Sequence, residues 1–168
     1  MAGSARDLED LVRRYEKKVY YTVLHITGDR EEARDITQEA FLRMFKGLRG
    51  LKKVDSFPSW LLKIATNLAL DHLRSSSQSV LEERDVEAIP QDHRGDVLQG
   101  LVTLEEREHL LDLLALLPPR QRMAVVLRVY NELPFKEVAD IMGCQVATAR
   151  SLFWAGVREM RRRLEREG

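Results

Sequence analysis

The sequence predicts an all-α chain of two small helical domains joined by a flexible acidic linker. Three observations carry this. Apolar residues recur at helical spacing through both halves of the chain; a stretch rich in Ser, Pro and Gly, residues 75–100, interrupts them without any period; and the one run with strand propensity, Val125-Val126-Leu127, has no second strand to pair with. The boundaries that follow are 1–74, 75–100 and 101–168. A length of 168 residues allows one ordinary domain or two small ones, and excludes a large multidomain enzyme.

The first helix is marked by Leu8, Leu11, Val12, Tyr15, Val19, Val23 and Ile26, and stops at Gly28, a residue suited to a helix C-terminus. A second begins where Asp29 and Glu32 can form a capping box, with an inner face of Ala33, Ile36, Ala40, Phe41, Met44, Phe45 and Leu48. The third starts near Pro58 and runs through Trp60, Leu61, Ile64, Ala65, Leu68 and Leu73. Beyond the linker, Leu104, Leu111, Leu114 and Leu117 give a stripe that ends at Pro118-Pro119, and residues 120–130 continue as helix. Phe135 to Met142 form a short amphipathic helix closed by Gly143, and a longer helix runs from about Val146 to Arg166.

Charge is uneven along the chain. Lys and Arg total 27 against 27 Asp and Glu, so bulk positive charge cannot hold nucleic acid and any basic surface must be local. Residues 1–74 carry 14 basic and 11 acidic side chains, 75–100 carry 2 and 6, and 101–168 carry 11 and 10, giving +3, −4 and +1. The 44% hydrophobic content is too high for a disordered chain. A single cysteine, Cys144, forms no internal disulfide, and His25, His72, His93 and His109 are too scattered to complete a zinc site with it. Neither a metal nor a cofactor is expected. The acidic N-terminus is unlike a signal peptide and no run approaches the roughly 18 apolar residues of a membrane span, so no membrane insertion is expected and the cytoplasm is the expected compartment.

A helix-turn-helix needs a small residue where its helices cross, a turn residue tolerant of positive φ, and apolar inner positions. Ala139, Gly143 and the set Val138, Met142, Cys144, Ala149 and Leu152 supply these. Gln145, Ala147, Thr148, Arg150 and Ser151 are left to face outward at the start of the second helix, the part that enters a major groove. The plainer reading is an αα-hairpin within a helical domain. Arg150, Arg158, Arg161, Arg162, Arg163 and Arg166 crowd the last helix against Glu159, Glu165 and Glu167, which makes either a local DNA-facing surface or a solvated helix end favoured by its dipole.

The two blocks together resemble the extracytoplasmic-function (ECF) sigma factors of the sigma-70 family. In the first block the resemblance rests on Gly28-Asp29, Ala33, Asp35, Gln38, Glu39 and Phe41, then on Trp60-Leu61-Leu62-Lys63-Ile64-Ala65 with Asn67, Asp71 and Arg74. In the second it rests on Leu117-Pro118, Arg120-Gln121-Arg122, Leu127-Arg128, Glu137-Val138-Ala139, Gly143, Thr148 and Ser151. The resemblance implies a region-two-like helical bundle followed by a region-four-like helix-turn-helix. It implies binding to bacterial core RNA polymerase, at the β′ clamp and β flap, with Asp35, Gln38, Glu39, Phe41 and Arg43 at the clamp-contacting positions.

It further implies recognition and opening of the minus-ten promoter element by Lys52, Lys53, Asp55, Ser56, Phe57, Asn67, Asp71 and Arg74, and of the minus-35 element by Gln145, Ala147, Thr148, Arg150, Ser151 and Arg158. An anti-sigma partner is implied as well. Trp60 reads either as core or as a stacking platform, and Cys144 as packing. The chain departs from the family pattern at Leu152 and Ala155, where basic residues are usual, and at Arg34, where Glu is common.

No catalytic constellation competes. His72 follows Asp71 directly, so the two side chains diverge on a helix, and no Gly-rich phosphate cradle is present. The expected function is therefore a non-enzymatic initiation factor. The rival readings are a stand-alone helix-turn-helix regulator and a sigma-like adaptor that has lost promoter recognition.

Overall fold

The structure, a computed structural model, describes residues 2–47, 57–76 and 104–168. The linker stretch from 77, together with Leu48, Lys52, Lys53, Asp55 and Ser56, lies outside the described residues. Among the described residues seven α-helices follow in order: α1 Ala2–Thr27, α2 Arg30–Gly47, α3 Phe57–Ser76, α4 Leu104–Ala115, α5 Pro119–Val125, α6 Phe135–Met142 and α7 Val146–Glu167. A π-helical turn, Val126–Tyr130, continues α5. No strand occurs among the described residues, and Val125-Val126-Leu127 is helical as its neighbours suggest.

Helices α1 to α3 pack on one another through Val19, Val23 and Ile26, Ala33, Ile36, Ala40, Phe41 and Met44, and Phe57, Leu61, Leu62, Ala65 and Ala69. The alanines let the backbones approach, and the larger side chains fill the space between. Buried hydroxyls need partners inside this core. Thr37 donates to the Ala33 carbonyl at 2.6 Å and Thr66 to that of Leu62 at 2.7 Å. Gly28 takes the left-handed conformation, φ 71°, and ends α1 with its N–H on the Leu24 carbonyl at 2.7 Å. Asp29 then caps α2, its Oδ1 accepting from the N–H groups of Glu31 and Glu32 at 2.9 and 3.2 Å. The reciprocal half of the expected capping box is replaced: Glu32 reaches across to α3 and meets His72 Nδ1 at 3.3 Å. One inward assignment is corrected. Phe45 is 38% exposed, because it lies at the edge of the α2 face rather than beneath it.

In the second half, α5 and α7 cross closely, and α6 packs on α7. Gly156 makes the close crossing possible, since a Cβ there would meet Val125 Cγ2 at 2.8 Å and Leu117 Cδ1 at 3.3 Å. The π turn ends with the Asn131 N–H on the Val126 carbonyl at 3.2 Å. The two halves also touch. Helix α1 packs against α4, α5 and the π turn, and α3 packs against α5 and α6.

Candidate functional site

Three surfaces gather the residues singled out in the sequence. On α2, the side opposite the core carries Asp35, Gln38, Glu39 and Arg43, all exposed. They share a face because positions three and four apart align on a helix. Arg43 Nε donates to Glu39 Oε1 at 3.1 Å, an exposed pair that orients the two side chains while adding little stability. Leu42, 53% exposed, sits between Gln38 and Arg43 on the same face, with Phe45 at its margin. Sequence reasoning missed Leu42. Its signal was an apolar residue off the inner stripe of α2. Phe41, which the apolar period puts on the inner face and the resemblance on this surface, is 6% exposed and belongs to the core.

On α3, Asn67, Asp71 and Arg74 form an exposed stripe that Lys63 extends by one turn. Phe57, expected to border a base pocket, is buried against Tyr15, ring centroids 5.5 Å apart, and against Trp60 at 6.2 Å. It is a core residue because the start of α3 turns its first side chain inward. Trp60 is half-buried and packs on Gly47, where an added Cβ would meet the indole at 2.7 Å. This is the packing alternative of the two read from the sequence.

The third surface is the helix-turn-helix. Gly143, at φ 65°, closes α6, and the Cys144 N–H returns to the Ala139 carbonyl at 3.1 Å. Ala139 is buried at the crossing as the motif requires, together with Val138, Ala149 and Leu152. Gln145 leads into α7 with extended backbone, and its carbonyl accepts from the Ala149 N–H at 3.0 Å. Gln145, Ala147, Thr148 and Arg150 are exposed, and Ser151 is half-buried. Leu152 is in the core, and Ala155, half-buried, follows Ser151 by one turn.

Beneath Arg150 lies an aromatic stack. Phe135 packs edge-on to Phe153 at 5.4 Å, and Phe153 edge-on to Trp154 at 5.0 Å. The Arg150 guanidinium lies 5.6 Å from the Phe135 ring centroid and that of Arg128 lies 5.1 Å from it, so one ring draws two cations toward the start of α7. Arg128 also donates to the Leu133 carbonyl at 3.2 Å. It was visible in the sequence as part of a motif, but its approach to Phe135 depends on the fold.

Farther along α7, Arg158 is exposed while Arg162 and Arg163 turn to Glu159, at 2.6 and 2.8 Å. Burial alone would raise the Glu159 carboxyl pKa, but the hydrogen bonds and charge of Arg162 and then Arg163 outweigh it and hold the group below its usual value. Part of the arginine cluster is thus neutralised locally. Burial pushes the Cys144 thiol pKa up, as befits a half-buried side chain packed on the core. Among the described residues no group of three or more His, Cys, Asp or Glu side chains is placed to hold a metal ion, and no helix is long and apolar enough to cross a membrane.

Residues 11–78 match the family description "Sigma-70 region 2", and residues 107–153 match "Sigma-70, region 4". The chain is 32% identical over 160 residues to the ECF RNA polymerase sigma-E factor of Escherichia coli K12, covering 89% of this chain and 82% of that relative. It is 30% identical over 161 residues to the RNA polymerase sigma-H factor of Pseudomonas aeruginosa, covering 89% and 81%. The sigma factor RpoE from Bartonella quintana, solved in complex with the anti-sigma factor NepR, shares the fold with a TM-score of 0.70 at 16% identity, over 95% of this chain and 98% of that one.

Proposed function

The chain belongs to the ECF group of the sigma-70 family, and from that membership we propose that it binds bacterial core RNA polymerase, directs it to a two-part promoter and helps to open the minus-ten element. One observation carries the reading: a single chain holds, in family order, a solvent-facing polar α2 surface centred on Leu42 and a helix-turn-helix whose second helix starts in the open. Members of this family are initiation factors, so no catalytic step is assigned to its side chains.

On α2, Asp35, Gln38, Glu39 and Arg43 provide carboxylate, amide and cation to match a charged clamp helix, which sets partner choice and orientation, while Leu42 supplies the apolar contact that is desolvated on docking. For the minus-ten element, the Lys63, Asn67, Asp71 and Arg74 stripe follows the strand, with Lys52 and Lys53 on phosphates and Asp55 and Ser56 at the captured base. For the minus-35 element, the first turns of α7 enter the major groove with Gln145, Ala147, Thr148 and Ser151 close to the bases, and Arg158 on the backbone. Arg150, drawn over Phe135, is poised for a guanine edge. Work on promoter DNA places the chain in the cytoplasm, and a sigma-like chain of this kind is held in check by an anti-sigma partner.

The test is equilibrium binding of the purified chain to core RNA polymerase, wild type against Gln38→Ala and Leu42→Asp. Tight binding by the wild type, weakened at least tenfold in both variants without loss of helical signal, is expected. A folded wild-type chain that binds promoter DNA specifically by itself and ignores polymerase would overturn the reading.

A further inference from the structure

The ring of Phe135 is held by both helices of the helix-turn-helix. Pro134, with φ −65° and ψ 154°, leads into α6, and its carbonyl accepts from the N–H groups of Glu137 and Val138 at 3.0 and 3.1 Å, which fixes the backbone of the first turn. From α7 the core residue Phe153, 9% exposed, meets the ring edge-on at 5.4 Å. Packing of this kind sets the plane of the ring and with it the direction of its π faces.

Two guanidiniums approach that ring, and they are held differently. Arg128 is half-buried, lies 5.1 Å from the centroid and is tethered by its Nη1 donating to the Leu133 carbonyl at 3.2 Å. Arg150 is exposed and lies 5.6 Å from the centroid, and its side chain makes no hydrogen bond or ion pair among the described residues, so the ring is its one hold. Repulsion from the tethered Arg128 keeps the Arg150 guanidinium from sinking farther over the ring, and it stays in the open. Neither cation meets a carboxylate among the described residues, whereas Glu159 engages Arg162 and Arg163.

A long, flexible side chain loses rotamer freedom when it docks, and a group already held in its bound pose loses less. Reading a guanine takes two parallel hydrogen bonds to O6 and N7, which makes the orientation of the guanidinium plane decisive. Phe135 has no polar side-chain atom with which to read a base edge or hold a phosphate, so what it adds to recognition passes through the cation it holds.

We propose that Phe135 is a positioning residue for minus-35 recognition: its ring holds the Arg150 guanidinium in the pose that reads a guanine edge before DNA arrives, and so sets specificity at that base without touching it. This role deepens the sigma reading and rests on it.

The experiment uses holoenzyme assembled from core RNA polymerase and the full chain, on a promoter that the wild type selects from DNA randomised across the minus-35 element. Each guanine of the selected element is replaced in turn by adenine, and the one whose loss weakens the wild type but not Arg150→Ala marks the base that Arg150 reads. Phe135→Leu is expected to lower discrimination at that base about three- to fivefold, the worth of one exposed cation–π contact, with discrimination elsewhere, polymerase affinity and helical signal unchanged. Phe135→Tyr keeps the π face and should retain the wild-type value, and Phe135→Leu should change nothing further in an Arg150→Ala chain. A loss spread evenly over all positions, an equal loss in Phe135→Tyr, or an undiminished effect without Arg150 overturns the role of Phe135, as does the absence of any guanine that Arg150 reads. Should Phe135→Leu lose helical signal, replacing Phe135 by pentafluorophenylalanine decides, since this keeps the shape of the ring and reverses its charge pattern: lower discrimination supports the cation–π hold, and unchanged discrimination overturns it. A wild-type chain that forms no holoenzyme sinks the sigma reading and this role with it, and that outcome is told apart from the others before any promoter is added.

Discussion

At the scale of single residues, Gly156 is the sharpest case of two opposed effects. Alanine in mid-helix gains about 1 kcal/mol in propensity, but its Cβ would stand 2.8 Å from Val125 Cγ2, on a short side chain that cannot swing away, and overpacking costs about 1–3 kcal/mol. Gly156→Ala is expected to be net destabilising by about 1 kcal/mol, read as a lower urea midpoint at constant slope. Arg122 gives the larger effect. Its guanidinium satisfies three carbonyls, Nε has no partner in the buried setting, and burial pushes the pKa down without removing the charge at ordinary pH. Arg122→Met removes the desolvation cost of a cation but strips all three carbonyls, so a loss of about 2 kcal/mol is expected in the same assay. His25 makes stability depend on pH. Burial lowers its pKa below 6.5 despite the contact of Nδ1 with the Tyr21 carbonyl, so the unfolded chain takes up the proton first. The stability tied to neutral His25 is therefore complete above about pH 6.5 and is lost as pH falls from there through the folded-state value. His25→Gln should flatten that part of the stability–pH curve, and an unchanged slope in urea titrations at stepped pH would count against it.

At the scale of elements, α2 separates binding from packing along a single helix. Gln38→Ala and Leu42→Asp remove exposed side chains and should shift stability by no more than about 0.5 kcal/mol, whereas Phe41→Ala empties a core position and should cost about 3–5 kcal/mol. Thermal melting beside polymerase titration distinguishes the two classes. Helix α7 divides in a similar way. Arg150→Ala is expected to cost about 1–3 kcal/mol of discrimination at one guanine, while Arg162→Ala, whose side chain is already engaged by Glu159, should leave promoter affinity nearly unchanged in binding assays with the assembled holoenzyme. The helices themselves were legible because their apolar stripes repeat at 3.6 residues and because Gly28, Pro118-Pro119 and Gly143 punctuate them. The π turn was not legible. Val126 to Tyr130 have the composition of ordinary helix, and the widened turn arises where the chain must place Asn131 and Tyr130 against α1.

At the scale of the whole molecule, two helical units share a seam, where Arg122 joins the end of α1 to the end of α4. The sequence alone determined the all-α class, the order of the helices, the helix-turn-helix with Ala139 and Gly143 at its crossing and turn, and the family, because periodicity, caps and motif spacing are local properties written in consecutive residues. It also placed Asp35, Gln38, Glu39 and Arg43 on one face, since helical geometry fixes which positions align. Only the tertiary structure decided that Phe57 is core, that Leu42 is exposed, that Phe135 gathers Arg128 and Arg150, and that Arg122, 96 positions from Ile26, bridges the ends of two helices. An aromatic side chain reads the same in either role from its own position. Whether it is buried, and which distant carbonyl a guanidinium reaches, depends on the partners that folding brings to it.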